Sequence, residues 1–416
     1  MLKVYVTTNG CEEGQLSSMY VEQFFRKNKL TITRIPSQAD LMIFYACGLT
    51  EQKEKDSLML IRKLQARMKP TARLIVWGCL SKINPQLLAT VYNGPLIGPR
   101  DTSFFEGILE KTFVPFNVIS ANTLVSWQTS GLYEHHYAPP FTDAVIRLKH
   151  FMVKLWNTWF LRHQELQNAP FFIRVATGCT GHCTYCSERC SWGRINSKPI
   201  NKIISEFKLG LQNGYNRFVL LATDLGPYGT DIGYTLYDLL RKMVQIYNQK
   251  NYKIILDQLN PFYLKEMFSD LEEIFDSGKV EVLCCPVQSG SNRILRLMSR
   301  MYTAEEWREH MLRINRRFPN IRLWTHFMVG FPTETDEDFR ATLKLLDYPL
   351  FLHNAVIFKF SKRPKVYASR IPGQVSDEIK ELRYKKLLQR YVYMYALNVA
   401  IKKTRSTCAK LFRKLS

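Results

Sequence analysis

The stretch GCTGHCTYC at residues 178–186 carries three cysteines in the spacing C-x3-C-x2-C, directly after the apolar run at residues 171–177. Three thiolates can hold three of the irons of a [4Fe–4S] cube, and the fourth iron then keeps an open position for a small molecule. The sequence therefore predicts a reactive iron–sulfur cluster on Cys179, Cys183 and Cys186.

Two simpler interpretations of this loop are a structural zinc site and a group of buried thiols. Structural zinc takes a fourth protein ligand, usually from a second closely spaced pair of cysteines or histidines. The nearest candidates, His182 and Cys190, do not form such a pair. We therefore favour the iron–sulfur interpretation.

Composition sets the broad class of the chain. With 416 residues, of which 46% are hydrophobic, the chain is long enough for two or three folded domains. No window offers the roughly 20 apolar residues of a membrane-spanning helix. Ten cysteines then argue for metal or redox chemistry in a reducing compartment, and we expect a cytoplasmic protein. The net charge of +22 has the sign that attracts RNA or anionic membrane surfaces.

The first third of the sequence alternates strand-like and helix-like segments, which indicates an α/β domain. Each strand-like run ends near a cysteine; the runs are Lys3–Thr7, Asp40–Ala46 and Ala72–Trp77, and the cysteines are Cys11, Cys47 and Cys79. Loops at the carboxyl ends of parallel strands meet at one crevice of an open sheet. We therefore expect these thiols to hold a second cluster, and the alternative is three small buried core residues.

A second alternation begins at Phe171. The strand-like runs are Phe171–Thr177, Arg217–Ala222, Tyr252–Asp257, Val280–Cys284, Arg322–Val329 and Ala355–Phe360, with helical patterns between most of them. Six β/α repeats predict a partial (β/α)6 barrel, whose active site lies at the carboxyl ends of its strands. Near such ends lie Cys179, Asp224, Gln288 and Gly330.

These patterns predict four parts: an N-terminal open parallel α/β domain at residues 1–112, a linker with an inserted helix at 113–170, the barrel at 171–375 and a basic helical tail at 376–416. The linker helix, near 141–163, carries Trp156, Trp159 and Phe160, which favour a docking face over a base-stacking platform. The tail is either an RNA or membrane contact or a solvated closing helix.

The cluster loop resembles that of radical S-adenosylmethionine (SAM) enzymes, and both cysteine sets together resemble the radical SAM methylthiotransferases over residues 3–381. The segments TNGC at 8–11, YAC at 45–47 and WGC at 77–79 are similar to the auxiliary-cluster segments of that family. PVQSGS at 286–291 and VGFPTET at 329–335 are similar to two of its barrel motifs. TDLGPYGTDIG at 223–233 is most similar to the branch that methylthiolates threonylcarbamoyladenosine in tRNA.

This resemblance implies two [4Fe–4S] clusters and SAM as cofactors, and a reducing electron donor as a partner. In the family, the barrel cluster reduces SAM to a 5′-deoxyadenosyl radical that abstracts a hydrogen atom. The N-terminal cluster holds the sulfur to be donated, and a second SAM supplies the methyl group. The residues to which the resemblance assigns contacts with SAM or substrate are Tyr185, Asp224, Gln288, Arg300 and Gly330.

Several positions depart from the family pattern: Trp192 stands in place of Arg, Cys284 of His, His326 of Asp, and Lys365 of Gly. The tRNA-modifying branches normally carry a C-terminal RNA-binding β-domain, and the end of this sequence lacks the strand pattern of such a domain. We predict a tRNA adenosine derivative as the acceptor. The alternatives are a peptide or small-metabolite acceptor, or a non-catalytic iron–sulfur protein that binds RNA or transfers electrons.

Overall fold

The structure is a computed structural model, and it describes residues 2–124, 170–246, 251–347 and 349–415. The predicted linker helix near 141–163, with its three aromatic residues, lies outside the described residues. The chain divides into two compact units; the first comprises Met1–Ile173, Cys190–Trp192 and Ile203–Val219, and the second comprises Arg174–Arg189, Gly193–Lys202 and Leu220–Ser416. The four-part division made from the sequence stays a prediction.

A parallel sheet of four strands organises the first unit. Its strands are β1 (Lys3–Thr8), β2 (Thr31–Ile32), β3 (Leu41–Tyr45) and β4 (Arg73–Trp77), in the order β2-β1-β3-β4. Both faces of this sheet are buried, which explains the almost continuous apolar runs of its strands. Val6 and Ile43 pack on one face, and Tyr5 and Phe44 pack on the other.

Helices flank these strands: α1 (Glu12–Lys27), α2 (Glu51–Gln65), α3 (Cys79–Ile83), α4 (Pro85–Ala89) and α5 (Ser103–Glu106), with 3-10 turns at Pro36–Gln38 and Phe116–Val118. Phe24 of α1 joins one core and Leu60 of α2 joins the other. Thr50 caps the N-terminus of α2, and its hydroxyl accepts a hydrogen bond from the Lys53 N–H at 3.2 Å. Helix α1 therefore packs on one face of the sheet, and helix α2 packs on the other.

The remaining strands are β5 (Phe171–Arg174), β6 (Ala176–Thr177), β7 (Asn196–Ser197), β8 (Arg217–Leu221), β9 (Lys253–Leu256), β10 (Val280–Cys284), β11 (Arg322–Val329) and β12 (Asn354–Lys359). Six of them form a sheet in the order β12-β11-β10-β9-β8-β5. The pairs from β9 to β12 are parallel. This sequential order, with helices between the strands, confirms the predicted α/β fold with a partial barrel.

The helices of this part are α6 (Glu188–Trp192), α7 (Ile200–Gln212), α8 (Leu236–Ile246), α9 (Pro261–Glu266), α10 (Phe268–Asp276), α11 (Asn292–Leu297), α12 (Ala304–Arg317), α13 (Asp336–Lys344) and α14 (Asp377–Leu415), with a 3-10 turn at Tyr367–Arg370. Several apolar side chains of α14 are exposed, among them Val392, Tyr393 and Val399. In the described ranges, no helix combines the length and the apolar character that crossing a membrane requires.

One predicted strand, Phe171–Thr177, is divided in the structure. The Val175 N–H still donates to the Leu221 carbonyl at 2.9 Å, but the Val175 carbonyl accepts from the Lys198 N–H at 2.8 Å. The chain therefore changes partner at Val175, and β6 pairs antiparallel with β7. An apolar run gives no signal for such a change, because both segments are buried.

Candidate functional site

The strand register brings the three N-terminal cysteines to one edge of the first sheet. Thr8 of β1 pairs with Tyr45 of β3, which in turn pairs with Trp77 of β4, so the three strands end at one level. Just beyond this level lie Cys11, Cys47 and Cys79, the first exposed and the other two buried. The structure thus places these thiols where the sequence pattern predicts them.

A tyrosine lies among these thiols. The Tyr45 hydroxyl lies 3.1 Å from the Cys79 Sγ. Burial raises the pKa of Tyr45 well above its usual value, and the charges of Cys79, Cys11 and Cys47 raise it further. All three thiols therefore lie close enough to the Tyr45 hydroxyl to affect its pKa. The sequence analysis did not single out Tyr45, and the only signal is its position just before Cys47.

Buried polar side chains hold the loop of Cys47. The Asn9 Oδ1 accepts a hydrogen bond from the Cys47 N–H at 2.9 Å, and the Asn9 Nδ2 donates to the Ser57 Oγ at 2.8 Å. The Ser57 hydroxyl donates to the Cys47 carbonyl at 2.7 Å. Because Asn9 precedes Cys11 by two residues, this network fixes the backbone next to two of the three cysteines.

The 178–186 loop is anchored through Thr184. The Thr184 N–H donates to the Met298 carbonyl at 3.1 Å, and the Thr184 hydroxyl donates to the Leu297 carbonyl at 2.8 Å. Within the loop, a Cβ atom on Gly181 would lie 3.2 Å from the Cys179 Sγ and 3.8 Å from the Cys183 Sγ. The absence of a side chain at Gly181 therefore leaves room for the sulfur atoms of Cys179 and Cys183.

Two thiols of this loop are in surroundings that oppose a bare thiolate. Burial and, to a lesser extent, the charge of Asp224 raise the pKa of Cys179 to about 12. Burial likewise raises the pKa of Cys186 well above its usual value, with a further contribution from Glu188. A bound metal cation offsets the free-energy cost of forming the thiolate, since metal-bound cysteines are deprotonated. Cys179 and Cys186, whose thiols resist ionisation without a bound cation, therefore fit as ligands of an iron–sulfur cluster.

The structure does not group these thiols as the ligands of a single metal ion. Among the residues that the structure describes, no three His, Cys, Asp or Glu side chains lie close enough to share one metal ion. Thiolates that bind different irons of a cube stand farther apart than the ligands of a single ion. Three cysteines in one loop are nevertheless the donor set that a [4Fe–4S] cube with one open iron takes.

A partly buried arginine borders the cluster loop. The Arg300 guanidinium lies 5.9 Å from the Tyr185 ring centre and 5.7 Å from that of Tyr302. Burial opposes the charge of Arg300, but Tyr185, Tyr302 and nearby charges hold its pKa well above the usual value. Across the described part of the chain, the Arg300 Nε and the Gln288 Oε1 are buried without a hydrogen-bond partner. A partly buried arginine and an open acceptor fit a ligand with a carboxylate and an amine, as SAM has.

Asp224 links the cluster loop to the ends of two strands. Its Oδ1 accepts hydrogen bonds from the Gly226 N–H at 3.0 Å and the Asn260 N–H at 3.3 Å. Its Oδ2 lies 3.9 Å from the Cys179 Sγ, and burial raises the pKa of Asp224. The Tyr263 hydroxyl, 2.9 Å from the Thr180 Oγ1, is a further contact of the loop that the sequence analysis did not identify.

The contacts of Gly330 in the structure are with the protein itself. Its φ of +72° is in the region that favours glycine, and a Cβ atom would lie 2.2 Å from the Lys380 Cγ. Its N–H donates to the buried Glu334 Oε2 at 2.7 Å. These contacts account for a glycine here through packing, and contact between Gly330 and SAM stays a prediction.

Two residues that depart from the family pattern lie side by side. The Cys284 Sγ at the end of β10 lies 3.7 Å from the His326 Nε2 on β11. Burial lowers the pKa of His326 to about 4, and the charge of Arg300 lowers it further. His326 is therefore neutral near pH 7 and carries one ring proton.

Comparison with known proteins agrees with this arrangement. Residues 173–346 match the Radical SAM superfamily, and residues 3–94 match Uncharacterized protein family UPF0004. A probable threonylcarbamoyladenosine tRNA methylthiotransferase of Methanothermobacter thermautotrophicus is 30% identical over 389 residues, which cover 92% of this chain and 82% of that protein. A ribosomal protein uS12 methylthiotransferase RimO of Protochlamydia amoebophila is 29% identical over 394 residues, covering 93% and 76%.

A solved structure supports the fold. The radical SAM methyltransferase TsrM from Kitasatospora setae, with tryptophan substrate and a SAM analog bound, superposes with a TM-score of 0.58 at 11% identity, covering 89% of this chain and 75% of that chain. The family also confirms the predicted cofactors, SAM and [4Fe–4S] clusters. The chain is an enzyme of the radical SAM methylthiotransferase family.

Proposed function

We propose that this enzyme inserts a methylthio group at a C–H bond of a tRNA adenosine derivative. The observation that carries the proposal is the presence of two separate groups of three cysteines, one just beyond the strand ends of the first sheet and the other in the 178–186 loop. An enzyme with a single cluster would need only the three cysteines of the 178–186 loop, so the second group of cysteines indicates a second cluster.

In this proposal, Cys179, Cys183 and Cys186 bind the barrel cluster. When bound, that cluster and SAM supply the electron and the radical for attack on an unactivated C–H bond, which no side-chain base can activate. Arg300 pairs with the SAM carboxylate, and the Gln288 Oε1 accepts a hydrogen bond from the ligand.

The three N-terminal cysteines, Cys11, Cys47 and Cys79, bind the auxiliary cluster that holds the sulfur to be donated. The hydrogen bonds of Asn9 and Ser57 keep the Cys47 loop in place before the cluster forms. Such preformed support lowers the ordering cost of ligand binding.

A tRNA acceptor is supported by charge and by similarity. The net charge of +22 attracts a polyanion, and the Methanothermobacter relative acts on tRNA. In the loop at residues 223–233, the Asp231 Oδ2 accepts from the Ser197 N–H at 2.9 Å and the Tyr228 hydroxyl donates to the Lys198 carbonyl at 2.8 Å. This branch-like loop is thus held at the end of β8. We also place the enzyme in the cytoplasm, with a reducing electron donor as a partner.

A peptide acceptor is the second candidate. The Protochlamydia relative is nearly as similar and acts on ribosomal protein uS12. A basic chain also attracts ribosomal surfaces, because these are rich in RNA phosphate. The two candidates differ in the acceptor and share the reaction type.

The test incubates anaerobically reconstituted enzyme with SAM, a reductant and either tRNA or a uS12-derived peptide. We expect 5′-deoxyadenosine together with methylthiolated tRNA. The Cys186→Ser variant should abolish both products, whereas Cys190→Ser, which alters a partly buried thiol of the neighbouring helix, should retain both. Product on the peptide alone would favour the second candidate, and absence of 5′-deoxyadenosine from the fully loaded enzyme would contradict both.

A further inference from the structure

The ring of Tyr45 occupies a slot that glycines leave open. A Cβ atom on Gly14 would lie 2.7 Å from the ring Cε1, and one on Gly10 or Gly78 would lie 3.1 Å from ring carbons. Real Cβ atoms do not approach so closely without a shift of the neighbour. Gly10 and Gly78 directly precede Cys11 and Cys79, so the cysteine loops themselves form the walls of this slot.

The ring is also fixed from its other side. Trp77 packs against Tyr45 edge to face, with ring centres 5.0 Å apart and planes at 87°. Tyr45 ends β3 and pairs in register with Trp77 at the end of β4. Its side chain is 1% exposed, so water does not compete for its hydroxyl.

The direction of the hydrogen bond follows from the chemistry of the sulfur. The Tyr45 hydroxyl lies 3.1 Å from the Cys79 Sγ, and either atom can donate when Cys79 is a thiol. A cysteine that ligates iron is a thiolate and has no proton to give. In the loaded enzyme the phenol is therefore the donor and the Cys79 sulfur is the acceptor.

We propose that Tyr45 is a positioning residue that donates a hydrogen bond to the Cys79 ligand of the auxiliary cluster and thereby raises the reduction potential of that cluster. The inference rests on the proposed role of Cys79 as a ligand. Hydrogen bonds to cluster sulfurs are one of the factors that set the potential. Donation to a coordinated sulfur offsets the negative charge that the cluster gains on reduction, so it favours the reduced state.

The experiment uses the full-length chain with Cys179→Ala, Cys183→Ala and Cys186→Ala, so that the auxiliary cluster alone is measured. We compare this parent with the same chain carrying Tyr45→Phe, which keeps the ring and removes the hydroxyl. The control is Tyr5→Phe, which alters a buried tyrosine on β1 whose pKa is raised by burial and lowered by Thr7, Arg34 and Arg67, with no cysteine among the causes. Each protein is titrated with a reductant while the electron paramagnetic resonance signal of the reduced cluster is followed.

We expect Tyr45→Phe to keep the iron and sulfide content of the parent and to shift the midpoint potential to a more negative value, whereas Tyr5→Phe leaves it unchanged. An unchanged midpoint in Tyr45→Phe, or an equal shift in both variants, would overturn the inference. A parent without bound iron would instead refute the ligand set in the proposed function, and the inference with it.

A second measurement looks for the proton of this hydrogen bond directly. Electron–nuclear double resonance on the reduced parent, prepared in H2O and in D2O, detects exchangeable protons near the cluster. We expect a coupled exchangeable proton that is missing in Tyr45→Phe. If the parent shows no such proton, the hydrogen bond does not form in the loaded protein, and the inference fails even where Tyr45→Phe does not fold.

Discussion

At the scale of single residues, burial determines what the side chains of the barrel can do. Arg300, His326 and Cys179 lie in one unit and respond to burial in different ways: the arginine stays charged, the histidine becomes neutral and the thiol resists ionisation. Only the arginine therefore offers a permanent charge, and only the thiol needs a bound cation. These roles depend on surroundings that a sequence motif does not specify.

His326 makes the stability of the enzyme depend on pH. Its pKa is about 4 in the folded chain, against about 6.5 for an unfolded histidine, so below about pH 6.5 the unfolded state takes up a proton that the folded state does not. Stability is therefore lost as the pH falls from about 6.5 to 4, by up to about 3 kcal/mol. We expect His326→Gln to reduce the fall in thermal midpoint between pH 7 and pH 5, measured anaerobically. Equal pH profiles for the variant and the wild type would show that His326 is not buried in its neutral form.

Arg300 is expected to bind the SAM carboxylate. A charged hydrogen bond contributes about 1.5 to 3 kcal/mol, so Arg300→Gln should raise the dissociation constant of SAM roughly 10- to 100-fold. Equilibrium dialysis of the reconstituted protein measures this constant, with iron content checked in parallel. The control is Arg296→Gln, which alters an exposed arginine near the end of α11. If both variants bind SAM like the wild type, Arg300 does not contact the ligand.

At the scale of elements, the apolar runs and cysteine spacing were enough to predict most of the structure. The strands β10 and β11 have the predicted bounds, and the three N-terminal cysteines lie at strand ends as expected. What the pattern could not provide was side-chain packing across distant segments. The Tyr45 contact with Cys79 and the Tyr263 contact with Thr180 join residues far apart in sequence, and neither leaves a periodic signal.

The long helix α14 is tied to the end of β11 by a buried ion pair. The Arg383 Nη1 lies 2.9 Å from the Glu334 Oε2, with side chains 7% and 0% exposed. Burial raises the pKa of Glu334 to about 6, while Arg383 opposes that shift. Removal of one partner leaves a buried charge unpaired, which costs about 3 to 5 kcal/mol.

We therefore expect Arg383→Met to lower the free energy of unfolding by about 3 kcal/mol or more. The matched control is Arg390→Met on the same helix, where the side chains of the pair with Asp347 are 39% and 42% exposed and the pair is expected to contribute less than about 1 kcal/mol. Thermal unfolding of the two variants in parallel provides the comparison. Similar losses in both would mean that α14 is not held by the buried pair.

At the scale of the whole molecule, the net charge of +22 determines how the chain meets a polyanion. Each phosphate contact releases counterions, so the affinity for tRNA should fall steeply as salt rises. The basic residues Lys402, Lys403 and Arg405 are expected to take part. Their joint replacement by alanine should reduce the slope of log affinity against log salt by up to about 2 to 3. Filter binding at several salt concentrations measures the slope, and an unchanged slope would place the RNA contact elsewhere.

The most direct test of the proposed reaction is nucleoside mass spectrometry of cellular tRNA. Cells that carry the active enzyme are compared with cells that carry Cys179→Ala, Cys183→Ala and Cys186→Ala together. We expect a methylthio derivative of adenosine that is present only with the active enzyme. Identical nucleoside profiles in the two strains would contradict the assignment of tRNA as the acceptor.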